Sequence, residues 1–122
     1  MKTDYVFDFE RLEVYQKSLV FMTSIFQITN RLPWKYQSSV GDQLRRAGLS
    51  VLNNLAEGSG KLSKREKGQF YRTSLNSTRE CIPMLTVLLQ EKQLSEESYQ
   101  QLRQAVVHIA NMLGKLILSL GG

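Results

Sequence analysis

The stretch from Gln43 to Gly58 constrains the fold of this chain more than any other. On a helical wheel at about 100° per residue, Leu44, Ala47, Gly48, Val51, Leu52 and Leu55 fall on one arc, opposite Arg46, Asn53 and Glu57. Such a face is made to be buried. Ala47, Ser50, Asn54 and Gly58 border the arc about one turn apart, and their short side chains let another helix come close. Ordinary core packing is enough to account for the pattern.

The rest of the chain divides into three more helical segments. Asp8 is a suitable N-cap for the first, in which Leu12, Tyr15, Leu19, Met22 and Phe26 recur at three- and four-residue steps until Pro33 forces a stop. That helix runs for about 22 residues, and Val14, Phe21 and Ile25 widen its apolar arc beyond what one pair of neighbours normally covers. Cover from a second subunit is one explanation. Residues 33–39 form a linker whose Trp34, Lys35 and Tyr36 either fold back over the bundle end or present aromatics to a partner. The second helix spans about 39–57 and stops at Gly58, Ser59 and Gly60.

Ser63 and Glu66 form a capping box that opens the third helix, which carries Phe70, Ser74, Thr78, Cys81, Leu85 and Leu88 on one face and reaches Lys92. Pro83 removes one backbone amide and points away from that face, so a kinked single helix is expected. The fourth starts near Ser95, with Glu96 and Glu97 in its first turn, and aligns Leu102, Val106, Ile109, Leu113, Leu116 and Leu120. No segment alternates like a strand. The pattern predicts an all-α, antiparallel up-down-up-down four-helix bundle filling residues 1–122 as one domain, without internal repeats.

With 122 residues, 42% of them hydrophobic, the chain can build a real core. No apolar run reaches the roughly 20 residues of a membrane span, and the first residues lack the pattern of an export signal. A soluble, cytoplasmic protein without a membrane partner is expected. Cys81 is the single cysteine and lies amid an apolar helical face, which predicts a buried free thiol.

Residue types for catalysis are missing. Gly58, Ser59, Gly60 and Lys61 resemble the end of a phosphate loop, yet Leu55 stands where the first glycine is needed and a helix precedes it. His108 falls on a polar helix side with no second histidine or cysteine at ligand spacing. Glu57 and Glu80 can converge between antiparallel helices, but the Glu-x-x-His pairs of a di-metal bundle are absent. These patterns predict no enzyme activity, no metal and no cofactor.

Phe9, Leu12, Val14 and Gln16-Lys17, then Thr29 and Pro33, then residues 43–47 and 50–58, and finally Ser77 with Glu80 together resemble a known family. It comprises four-helix-bundle proteins first associated with open reading frames in intervening sequences of bacterial 23S ribosomal RNA genes. The resemblance spans almost the whole chain. It departs from the family pattern at Leu55, Asn76 and Pro83, which bears mainly on the course of the third helix. Members of the family with known structures, like the related accessory proteins of diversity-generating retroelements, form rings of five, so the resemblance implies a homopentamer.

Charge is the remaining functional signal. The formal net charge is +5, and residues 41–72 hold seven basic against three acidic residues. Arg45, Lys61, Lys64, Arg65 and Lys67 are the candidate phosphate contacts for RNA or DNA, and a ring would multiply the patch. A solvated surface is the plainer reading of the same charges. Arg46, Asn54, Glu57 and Glu80 are candidates for a polar network between helices or subunits, unless the polar face of the second helix simply meets water. Two functions follow: nucleic-acid binding, RNA foremost, through the basic turn; or a scaffold for a protein partner, such as a reverse transcriptase.

Overall fold

In the computed structural model, which describes residues 4–121, the periodic segments form four long helices. They are α1 (Glu13–Thr29), α2 (Asp42–Ser59), α3 (Lys64–Gln90) and α4 (Glu96–Leu118), and no strand occurs among the described residues. Side-chain pairings set their directions. Ser50 meets Ser77, Ser74 bonds to the Val51 carbonyl and Ser59 meets Tyr71, so α2 and α3 run antiparallel. Thr86 meets Tyr99 across the short α3–α4 turn. Gly48 lies against Met22 and Ile25, while Gly41 lies near Leu32, which turns α1 against α2.

One core joins all four helices, with Ile25, Leu44, Leu55, Leu85 and Leu113 fully buried at its centre. All six residues on the expected arc of α2 are buried. Gly58 does not stop that helix, which continues to Ser59. A Cβ built at Gly58 would lie 2.7 Å from the Tyr71 ring, so glycine is needed here for the close approach of α3.

The first helix differs from expectation in both its start and its face. Asp8 opens a separate 3₁₀ turn, Asp8–Arg11, and Leu12 is extended before α1 begins, leaving 17 residues instead of about 22. Phe7, Phe9 and Tyr15 form a chain of ring contacts that anchors this turn, and Gln16 donates to the Glu10 carbonyl. The buried face holds Val14, Ser18, Phe21, Met22, Ile25 and Thr29. Leu19 and Phe26, expected inside, are 39% and 40% exposed. Ser18 and Thr29 can replace them inside because each hydroxyl donates to the carbonyl four residues back, at 2.7 and 2.8 Å.

The linker is itself helical: a turn at Trp34–Tyr36 leads into a wider π-type turn at Gln37–Gly41. Tyr36 folds over the bundle end and donates to Glu91 at 2.9 Å, whereas Trp34 stays 81% exposed. Ser63 caps α3 by accepting from the Glu66 amide at 3.1 Å, and its hydroxyl donates to the Glu66 carboxylate. Pro83 leaves α3 unbroken as one 27-residue helix. A Schellman turn ends it: Gln93 N–H bonds to the Leu88 carbonyl and Lys92 N–H to that of Leu89, with Lys92 left-handed at φ 60°. Ser95 caps α4 through the Ser98 amide, while Leu116 and Leu120 at its far end are only half-buried.

Candidate nucleic-acid interface

The antiparallel order brings the start of α1, the α2–α3 turn and the end of α4 to one end of the bundle. Lys61, Lys64, Arg65 and Lys67 all lie there, in different surroundings. Lys61 sits over the Phe70 ring at 5.2 Å and 3.7 Å from the Glu57 carboxylate. Lys67 is half-buried and donates to the Ser59 carbonyl at 2.8 Å and the Gly58 carbonyl at 3.4 Å. It thus neutralises the carbonyl end of α2, a structural role.

Lys64 and Arg65 point outward from the first turn of α3 and line a cleft of about 310 Å³ between that helix and Ile117, Leu118 and their neighbours at the end of α4. Arg72 lines the same cleft, with its guanidinium lying over Gly68, whose Cβ position is 3.3 Å away. Among the described residues no side-chain carboxylate lines the cleft, and none of these three cations has an ion-pair partner. Lys64 and Arg65 also oppose the positive end of the α3 dipole, so local helix stability does not explain them. Arg72 was visible in the charge count but not chosen as a contact, because only the fold shows that it reaches back to the turn.

Arg45 is not part of this group. It lies 16 residues before Lys61, which along a helix is about 24 Å, near the opposite end of the bundle. There it pairs with Asp42 and donates to the Gln37 side chain and carbonyl, both at 3.3 Å, tying down the π-type turn.

The candidates for a polar network are only partly brought together. Asn54 donates to the Ser50 carbonyl and hydroxyl at 2.8 and 3.0 Å, and Ser50 meets Ser77 at 2.7 Å. Glu57 faces Lys61 instead of Arg46. Arg46 and Glu80 are exposed, with no hydrogen bond or ion pair among the described residues. Serines at 50, 59, 74 and 77, with the Tyr71 hydroxyl, therefore make the α2–α3 polar contacts, and the recurrence of small polar residues on two facing arcs was the available signal.

Cys81 is fully buried; burial, with a smaller effect from Glu80, pushes its thiol up to about 12. His108 is exposed on α4. Among the described residues no three His, Cys, Asp or Glu side chains are grouped to hold a metal ion. No helix among them is long and apolar enough to cross a membrane.

The family model for the 23S rRNA-intervening sequence protein matches residues 10–115, nearly the entire chain. The chain belongs to this family. The matched range contains the whole basic turn and all four helices except the last residues of α4. The fold is similar to a crystal structure of a protein of unknown function from the S23 ribosomal protein family of Bacteroides thetaiotaomicron. The TM-score is 0.79 at 22% identity, covering 85% of this chain and 94% of the other. No curated protein matches the chain.

Proposed function

We propose that this protein is a non-enzymatic, ring-forming, cytoplasmic helical bundle that binds nucleic acid, RNA foremost, through the end of the bundle bearing the α2–α3 turn. The observation that carries the reading is the cleft of Lys64, Arg65 and Arg72, three cations with no side-chain carboxylate on its lining among the described residues. Unpaired cations grouped on one surface release counterions from a phosphate backbone and give sequence-independent affinity. Lys61, balanced only by exposed Glu57, sits at the edge of the same surface. Lys67 supports the fold of the turn itself, and Arg45 supports the opposite end of the bundle.

A ring of five copies would set five such clefts side by side and raise avidity. The outward face of α1 supports self-association, since Leu19 and Phe26 lie exposed on one stripe and Leu49 is exposed on neighbouring α2. The free, buried Cys81 suits a reducing cytoplasm.

The test is binding of nucleic-acid-free protein to structured RNA across a salt series, with oligomeric mass recorded on the same sample. Replacing Lys64, Arg65 and Arg72 by glutamine should weaken binding and flatten the slope of log K against log salt by roughly 2 to 3, at 0.7–0.9 per phosphate contact. Unchanged affinity and slope would remove the cleft from the reading. Arg45→Gln should leave the slope as it was.

A further inference from the structure

A second concavity of the bundle lies elsewhere, in a trough of about 570 Å³ between α1 and α4. Its floor is apolar: Phe21, Leu102 and Ile109 are buried beneath it, while Val20, 67% exposed, projects along one wall. It stays open because the facing positions are short, with Ser24 on α1 and Ser98 and Ala105 on α4. Lys17 and Arg31 border it on the α1 side and His108 on the α4 side, and no carboxylate lines it. Lys17 lies 12 residues before the end of α1 at Thr29, about 18 Å along the helix, and Arg31 follows in the next turn, so the two charges mark the two ends of the trough. Because α1 and α4 run antiparallel, His108 falls toward the Lys17 end.

We infer that this trough is a docking site for an acidic amphipathic helix of another polypeptide. A straight furrow parallel to two helices, with an apolar floor and short side walls, takes side chains repeating at three- and four-residue steps on one helix face. Cations at both ends select glutamate or aspartate flanking that face, and the uncharged middle, with Gln27, Gln101 and Gln104, provides neutral hydrogen-bonding groups. A second copy laid trough to trough would oppose like charges at both ends, which is unfavourable. A nucleic-acid strand needs cations along its length, which this rim lacks. The inference stands apart from the nucleic-acid reading, since the cleft that carries that reading is lined by none of these residues.

The probe is a fluorescent helical peptide of about 16 residues, matching about 24 Å, with leucines at three- and four-residue steps and glutamates on the flanks. A lysine-flanked twin and a leucine-to-serine twin serve as controls, and all are titrated into the full chain. The acidic peptide should bind about ten-fold or more tighter than either control. In the Lys17→Glu/Arg31→Glu protein that preference should invert. Ala105→Trp, checked for helical content, should weaken binding about ten-fold by filling the trough. Lys64→Gln/Arg65→Gln should leave it within about two-fold, whereas a large loss would move the peptide to the basic cleft and overturn the inference. Equal binding of the three peptides, indifference to the trough variants, or displacement of the acidic peptide by RNA would also overturn it. A fall in oligomeric mass caused by Ala105→Trp would assign the trough to a second copy instead.

Discussion

The seams on opposite sides of this bundle are built on different terms. Between α2 and α3 the backbones are close enough for Gly58 to lie under the Tyr71 ring, for Ser50 to meet Ser77 and for Ser74 to bond directly to a main-chain carbonyl. Between α1 and α4 small residues also occur, at Ser24, Ser98 and Ala105, yet a trough remains. Small side chains therefore do not by themselves close a helix pair. They close it where hydroxyl groups find partners across the seam and a ring covers the backbone; without those contacts they leave room. The largest expected effect tests the closed seam. Gly58→Ala places a methyl group 2.7 Å from a ring that cannot fold aside, and overpacking of this kind costs about 2 kcal/mol, more than the helix propensity of alanine returns. Gly48→Ala meets the ends of Met22 and Ile25, which can move, and should cost distinctly less. Denaturant unfolding of the two variants, giving equal losses, would refute this account of the seam.

A second measurement asks how dry the closed side is. Cys81 lies on the inner face of α3, and burial raises its thiol from 9.0 to about 12. Below pH 9 both folded and unfolded thiols hold their proton and the group leaves stability unchanged. Between pH 9 and 12 the unfolded chain releases a proton that the folded chain keeps, so stability falls as pH rises. The slope contributed by this group reaches at most about 1.4 kcal/mol per pH unit. Tyrosines and lysines titrate in the same window, so the quantity to compare is the slope of the wild type minus that of Cys81→Ala. Identical slopes would mean that water reaches the thiol.

Much of this architecture was legible in the sequence, and the failures have physical causes. The arc of α2, the Ser63 cap and the order of four helices follow from local periodicity and capping chemistry, which act within a few residues. The expected arc of α1 includes the buried Val14, Phe21, Met22 and Ile25 but leaves out Ser18 and Thr29, each of which satisfies its hydroxyl on its own helix and then packs as a small core residue. Arg45 joined the basic turn in a count along the chain, but an 18-residue helix carries its two ends about 27 Å apart. Arg72 shows the converse, lying seven residues beyond Arg65 in sequence and in the same cleft. The α1–α4 trough had no sequence signature, because it is the space left between residues about eighty positions apart.

The smallest expected effect is also the one whose sign separates the two seams. Ser24 lines the trough on α1, and its hydroxyl makes only a 3.4 Å contact with the Val20 carbonyl. Ser24→Leu adds apolar carbons to a helix with better intrinsic propensity and lays them over Phe21 and Ile109, where space is already open. A fully buried methylene is worth about 0.8 kcal/mol, but a side chain on the wall of an open trough buries only part of its surface. The expected result is a gain of about 0.5 kcal/mol, opposite in sign to Gly58→Ala although both add carbon at a helix seam. A loss of more than about 1 kcal/mol would mean that Ser24 is packed as tightly as Gly58, and the contrast between the two sides would disappear. A gain would show that the bundle tolerates stability left unused along α1, as a chain does when another molecule is to fill the space.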